Sequence, residues 1–310
     1  MRILVTGSSG FLGRHVFKML QDEYPDAQLF GASTRNVDLT DLLDTEGLFI
    51  STRPTHVFHL AAKVGGIVAN LRQPATFFHD NMAMGMNILE AARRFGKRGG
   101  VLPRLVMVGT CCSYPKDAEL PLRESTIWDG YPEITNAAYG IAKRALLTAA
   151  SAYHSEYGLD VITLVLANLY GPCDHFDLET SHVIPGMIRR FVEAKESRAD
   201  HVTLWGDGSP TREFLYVDDA ARAIVQVGMQ SMGAALYNVG SAVEVNIASL
   251  ANMVKLIVGF EGQIRWDTSK PNGQPSRVLD CSRLGPWHKV SLEEGLSNTV
   301  AWFLANRGAL

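Results

Sequence analysis

Cysteine is scarce in this chain. Its 310 residues contain four, Cys111, Cys112, Cys173 and Cys281, too few for a disulfide framework in a chain this long. Cys111 and Cys112 are neighbours and poorly placed to bridge each other. The thiols are read as reduced and the compartment as the cytosol. An excess of one charge is also lacking: the net charge is −3, which removes the electrostatic case for nucleic acid or an anionic membrane as partner. A phosphorylated ligand must therefore be held by a local cluster of basic groups. No apolar run approaches the roughly 20 residues of a membrane span. The opening Arg2-Ile3-Leu4-Val5-Thr6-Gly7 reads as a strand entering a turn, without the charged lead, apolar stretch and cleavage site of a secretory signal. Internal repeats and low-complexity tracts are absent. What is present is an ordinary globular composition, 46% hydrophobic and 20% charged, long enough for one large domain or two interleaved ones.

Short apolar runs alternate with longer helical patterns. Ile3–Val5, Gln28–Gly31, His56–His59, Leu105–Val108 and 161–167 read as buried strands, separated by helices near 11–22, 39–50, 74–95 and 135–157. This alternation predicts an α/β fold, a Rossmann-type doubly wound parallel sheet with right-handed crossovers. After Tyr170-Gly171-Pro172 the pattern changes. A helix near 182–195 is followed by short strands near 201–206 and 213–217, a helix from 218, and strands near 236–239 and 263–267. Ser291-Leu292-Glu293-Glu294 has the spacing of a capping box opening a last helix to about Asn306. The expected division is a cofactor-binding domain of 1–168 with 212–240 and a smaller C-terminal α/β substrate-binding domain of 169–211 with 241–310.

The first turn carries the first chemistry. Gly7, Ser9, Gly10, Phe11, Leu12 and Gly13 follow the first strand and open the first helix. There glycines let a pyrophosphate approach backbone N–H groups at a helix N-terminus. The glycines are spaced by three, unlike the commoner G-x-G-x-x-G, and such turns also occur for structural reasons alone. At the end of the second strand an NAD site usually carries an acid for the ribose 2′-OH. Here the segment reads Gly31-Ala32-Ser33-Thr34-Arg35. Arg35, with Arg14, suits a 2′-phosphate instead, so NADP(H) is the expected cofactor; the alternative is two solvated surface arginines. Asp38, Leu39 and the segment Leu60, Ala61 and Ala62 after the third strand, with His59, are placed along the cofactor.

Tyr139 and Lys143 lie four apart in a helical stretch, so they share a face. A nearby ammonium is expected to lower the phenol pKa and prepare Tyr139 for proton exchange with a sugar oxygen. Thr110 ends the fourth strand, where open parallel sheets place their ligands; alternatively it is a turn residue bonding its own backbone. Together the glycine turn, Thr110 four residues before Tyr114, the Tyr-x-x-x-Lys pair and His59-Leu60-Ala61-Ala62 resemble the extended short-chain dehydrogenase/reductases. Further stretches narrow the resemblance: 64–70 followed by Pro74 and Asn81; 168–172 leading to Ser181-His182-Val183-Ile184-Pro185; Trp205-Gly206-Asp207-Gly208 before Arg212; and 269–273. In that order they resemble the GDP-L-fucose synthase branch of that family, along nearly the whole chain.

The resemblance implies roles. Thr110, Tyr139 and Lys143 correspond to the reductive triad, with Thr where the family usually has Ser. Cys112 and His182 correspond to the base and acid of epimerisation. Asn168, Val183, Arg190, Trp205, Arg212 and Arg277 fall where the family binds a GDP-linked 4-keto sugar. Arg277 stands where better-known members carry Lys, which leaves sugar specificity less determined than reaction type. No metal site is assigned, and a homodimer through the helices near 74–95 and 135–157 is implied unless Ile88, Leu89, Leu146 and Leu147 face the sheet. The implied activity is 3,5-epimerisation and NADPH-dependent 4-reduction of GDP-4-keto-6-deoxymannose. Two alternatives stay open: a reductase or epimerase of a related GDP-4-keto heptose or dideoxyhexose, and a non-catalytic NADP-binding regulator. From residue type alone, Cys112 is equally a packed thiol, His182 a helix cap, Trp205 domain packing and Arg212 a solvated strand-end charge.

Overall fold

A computed structural model describes residues 1–178, 180–230, 233–270, 274–285 and 289–309. The chain runs β1 (Arg2–Thr6), α1 (Phe11–Glu23), β2 (Gln28–Ala32), α2 (Leu42–Thr52), β3 (His56–His59), α3 (Ile67–Arg72), α4 (Pro74–Lys97), β4 (Arg104–Thr110), α5 (Ala137–Tyr157), β5 (Val161–Leu166) and β6 (Asn168–Tyr170). It continues through α6 (Val183–Glu196), β7 (His201–Trp205), β8 (Thr211–Tyr216), α7 (Val217–Gln230), β9 (Ala235–Val239), β10 (Glu244–Asn246), α8 (Ile247–Val258), β11 (Gln263–Asp267) and α9 (Leu292–Asn306).

Six strands form one parallel sheet in the order β2-β1-β3-β4-β5-β9. Neighbouring side chains on a strand fall on opposite faces. Ile3, Val5, Phe58, Val106 and Leu164 accordingly join one core with Val16 and Leu20 of α1 and Ile224 of α7. Leu4, Val57, Leu105, Met107 and Val161 join a second core with Phe49 of α2, Leu89 of α4 and Leu146 of α5. Covering on both faces explains why β5 is buried at every position and why its sequence is a continuous apolar run. The doubly wound parallel sheet is therefore present as expected. Its β4 and β5 end at Thr110 and Leu166, which sets the carboxyl edge from which the site is built.

The smaller sheets are less regular. Strand β8 lies between β6, which is parallel to it, and β10, which is antiparallel. Strands β7 and β11 form a parallel pair. Residues 211–216 thus pair outside the main sheet, and only α7 and β9 of the 212–240 segment return to it. A third core gathers Ile188 and Phe191 of α6, Val254 of α8 and Phe303 of α9. Helix α8 fills a stretch assigned no element from the sequence; Asn246 caps it by accepting from the Ser249 N–H at 2.7 Å. The expected cap of α9 is present: the Ser291 hydroxyl accepts from the Glu294 N–H at 3.2 Å. Glu213, 1% exposed, ties the sheets together. Its carboxyl accepts from the Ala242 N–H at 2.6 Å and the Leu279 N–H at 2.8 Å. Ile88, Leu89 and Leu146 are buried within the subunit, and Leu147 packs against its core. Among the described residues no helix is long and apolar enough to cross a membrane.

Candidate active site

The glycine turn has the shape that a dinucleotide phosphate requires. Gly7 has φ +69°, and a Cβ there would meet the Ala61 nitrogen at 2.8 Å. A Cβ on Gly13 would stand 2.0 Å from the Gly7 carbonyl oxygen. The turn therefore closes tightly against α1 on one side and the 60–62 segment on the other. Gly10 is the N-cap of α1 and makes no side-chain cap, so the first-turn N–H groups face outward as an anion site. Arg14 and Arg35 are exposed beside it, and Arg14 Nε donates to the Ser9 carbonyl at 2.8 Å. Leu12 packs on the core and Phe11 lies edge-on to His15. Two neighbours differ from the expectation. Asp38 turns inward on its own loop, accepting from the Thr40 hydroxyl at 2.7 Å and its N–H at 2.9 Å, and these bonds hold its carboxyl below the usual range. His59 is 1% exposed and shares a 2.8 Å hydrogen bond with the Thr6 hydroxyl; it lies beneath the turn, with burial and Lys143 pushing it down to about 3. Leu39 is also buried. The turn, the arginines and the outward N–H groups fit an NADP-type dinucleotide.

At the end of β4 the chain enters a single 3₁₀ turn, Cys111–Ser113. The Thr110 hydroxyl oxygen accepts from the Cys112 N–H at 3.2 Å, as a turn residue would. That bond uses a lone pair and leaves the hydroxyl hydrogen for Tyr139 or a ligand. Helix α5 lies directly on this turn because residue 140 is glycine: a Cβ there would be 2.3 Å from the Cys112 carbonyl oxygen. Tyr139 is thereby brought beside Cys112, its ring edge-on to Phe77 with centroids 6.4 Å apart. Lys143 is buried and donates to the Val108 carbonyl at 3.1 Å; burial lowers it to about 8. The phenol moves the other way from the expectation. Burial pushes Tyr139 above its usual range, Cys112 and Cys111 add to the effect, and the Thr110 hydroxyl opposes it. Lys143 does not offset this, because its ammonium is directed at β4.

Two groups face each other across the cleft. Cys112 is half-buried on the turn. His182 is the N-cap residue of α6 but its side chain makes no capping bond. Its surface is exposed, yet burial lowers its pKa, His175 lowers it further and Cys112 raises it. Arg277 reaches the same place, with Nη1 3.3 Å from the Cys112 sulfur and 3.7 Å from that of Cys111. Arg212, at the start of β8, is half-buried, and its charge is opposed by burial and then by Arg277. It is therefore not a solvated strand end. Asn168 is turned to the β8 backbone, donating to the Glu213 carbonyl at 3.0 Å. Arg190 donates to the Leu178 carbonyl at 2.9 Å, and Val183 is exposed beside His182. Trp205 is 55% exposed, with the Lys270 ammonium 5.7 Å from its ring centroid; it is not packed between domains. Of the 269–273 stretch, Pro271, Asn272 and Gly273 lie outside the described residues.

A family model described as the NAD dependent epimerase/dehydratase family matches residues 3–240. The chain belongs to this family. GDP-L-fucose synthase 1 of Arabidopsis thaliana is 41% identical over 308 residues, covering 98% of this chain and 94% of the relative. A GDP-L-fucose synthetase from Naegleria fowleri bound to NADP superposes with a TM-score of 0.87 at 29% identity, covering 99% of this chain and 94% of the other. A GDP-6-OMe-4-keto-L-xylo-heptose reductase from Campylobacter jejuni superposes with a TM-score of 0.90 at 27% identity, covering 98% and 97%. These relatives put the chain in the GDP-L-fucose synthase branch of the family.

Sequence reasoning passed over two residues beside Cys112 and one buried carboxyl. Asn136, three positions before Tyr139, donates to the Cys112 sulfur at 3.3 Å. Cys111, read as structural, has its sulfur 3.7 Å from Arg277 Nη1 and beside that of Cys112. Asp174, 5% exposed, accepts from the His175 N–H at 2.7 Å through one oxygen, while the other is buried with no hydrogen-bond partner. No motif distinguished these residues. Burial pushes the Asp174 carboxyl up to about 7. A raised carboxyl stabilises the fold only while protonated, so stability falls as pH rises from its ordinary 3.8 through about 7. Asp174→Asn is expected to match the parent at pH 4 and to be up to about 4 kcal/mol more stable at pH 8. Chemical unfolding at the two pH values checks it.

Proposed function

We propose that this chain inverts C3 and C5 of GDP-4-keto-6-deoxymannose and then reduces C4 with NADPH, releasing GDP-L-fucose. The observation that supports the reading is the proximity of Cys112 to Tyr139, Thr110 and His182 at the end of β4, in a chain with an NADP-type glycine turn. Protons at C3 and C5 are acidic because the C4 carbonyl takes up the charge as an enolate. Thr110 and Tyr139 hydrogen-bond O4 and stabilise that charge. Cys112 removes a proton from one face and His182 delivers one to the other. NADPH supplies the hydride to C4. A phenol kept protonated by burial is the form needed to give O4 its proton at that moment, and Lys143 beneath the site supports Tyr139 in that transfer. Arg212, Arg190, Trp205, Val183 and Asn168 hold the nucleotide sugar, with the Arg212 guanidinium suited to a pyrophosphate.

We assign the chain to the cytosol on its four free thiols. We assign it a homodimer on the family resemblance alone, since Ile88, Leu89 and Leu146 are taken up by the subunit core and supply no interface. We divide it into a cofactor unit and a substrate-covering unit, with β8 at the join. The C. jejuni likeness supports a second reading, reduction of a GDP-linked keto-heptose without inversion. The test is incubation with NADPH and GDP-4-keto-6-deoxymannose in deuterated water. GDP-L-fucose with deuterium at C3 and C5 is expected. A reduced, unepimerised sugar without deuterium selects the second reading, and NADPH binding without turnover on any GDP-keto sugar makes the chain a regulator.

A further inference from the structure

We propose that Arg277, with Asn136 and Cys111, is a positioning residue that holds the Cys112 sulfur as a thiolate before substrate arrives. The inference rests on Cys112 being the base of the proposed epimerisation.

Two side-chain donors converge on one sulfur. Arg277 Nη1 is 3.3 Å away and Asn136 Nδ2 is 3.3 Å away, with the neighbouring Cys111 thiol beside them. A thiol sulfur is a weak acceptor and does not repay this many half-buried donors; a thiolate does. The guanidinium is not there by chance of rotamer. Its Nε and Nη2 both donate to the Gln274 Oε1, at 3.1 and 2.5 Å. Gln274 is itself anchored, its Nε2 donating to the Lys116 carbonyl at 2.8 Å. With that edge occupied, Nη1 is the end left to face Cys112 and Cys111.

The electrostatics agree with the geometry. The Cys111 S–H draws the Cys112 thiol well below its usual range, with Arg277 and the Thr110 hydroxyl adding to it against burial. Cys111 moves up and stays a thiol, which is what a donor must be. Burial works against the Arg277 charge, but the two sulfurs together outweigh it and the guanidinium holds its proton more firmly. The other ionisable groups facing this sulfur are Tyr139 from α5, His182 from α6 and Arg212 from β8. The neutral phenol adds no charge, and Arg212 favours the thiolate. Two consequences follow. The adjacent cysteine is the thiol half of a thiol–thiolate pair. Arg277 is assigned to the base rather than to a phosphate, which leaves Arg212 for the pyrophosphate.

The test reads the sulfur without any sugar. Full-length protein is alkylated with iodoacetamide across pH, and the Cys112 peptide is followed by mass spectrometry. Wild-type Cys112 is expected to react with a midpoint below that of an ordinary thiol. Arg277→Gln is expected to move the midpoint up by a unit or more, about a tenfold loss of rate at pH values below the wild-type midpoint, and Arg277→Lys to restore most of it. Cys111→Ala is expected to raise the midpoint and Cys111→Ser to raise it less. NADPH binding reports that each variant is folded. If Arg277→Gln does not fold, Asn136→Ala decides, a raised midpoint supporting the assignment. A folded variant of Arg277 or Asn136 with the wild-type midpoint overturns it. Because no turnover is measured, an error in the sugar assignment leaves the result unchanged.

Discussion

Tyr139→Phe is expected to slow reduction at C4 by about 10²–10⁴-fold, the range for a positioned general acid, while deuterium continues to enter C3 and C5. The two steps ask different things of the phenol. Enolate formation needs hydrogen bonds at O4, and Thr110 still offers one, since its bond from the Cys112 N–H occupies only a lone pair. Reduction needs a proton delivered to O4, and of the two hydroxyls at that oxygen the phenol is by far the stronger acid. Burial keeps Tyr139 protonated at neutral pH, so the wild-type enzyme begins each reduction with its acid loaded. NADPH oxidation followed beside NMR of the recovered sugar separates the steps. Equal loss of exchange and reduction would mean that O4 depends on Tyr139 throughout; unchanged reduction would remove Tyr139 from the mechanism.

Lys143 shows why a sequence pair is incomplete without its surroundings. Spacing alone puts Tyr139 and Lys143 on one helix face, and that much holds. Spacing does not show that Lys143 is 5% exposed and spends a hydrogen bond on Val108. The direction of the Tyr139 shift therefore depends on burial, which residues 139–143 do not encode. The same divide runs through the fold. Strands such as β5 are legible because burial on both faces demands an unbroken apolar run. Helix α8 has helical spacing too, with Leu250, Ala251, Val254 and Val258 buried and polar Ser249, Asn252 and Lys255 three apart, and the reading passed over it. Strands β6 and β10 have three residues each and carry no usable period. In the site, the glycine turn and Tyr139 lie within local motifs. Cys112 and Arg277 are 165 positions apart, and only the return of the chain beside β8 brings them together.

Cys112→Ala and His182→Asn are expected to fail differently, and the difference identifies their roles. Removing the base stops proton removal altogether, so Cys112→Ala should leave no deuterium in the recovered keto sugar and slow epimerisation by about 10²–10⁴-fold. Removing the acid leaves the sulfur able to take a proton and return one to the same face. The Cys112 thiol exchanges with solvent, so His182→Asn should yield a deuterated but uninverted sugar. Reduction of the uninverted sugar should persist in both variants, because Tyr139, Thr110 and the glycine turn are untouched. The positions of the two groups give the asymmetry its physical basis. The Cys112 sulfur accepts from Arg277 and Asn136 and is prepared to take a proton. His182 has its pKa lowered by burial and raised by the facing sulfur. As Cys112 accepts its proton, that sulfur loses its negative charge and His182 loses the support for its own proton. Proton capture by one residue thus makes the other the stronger acid, which favours inversion over return to the same face. Loss of exchange in both variants alike would assign the two residues to one face and remove this coupling.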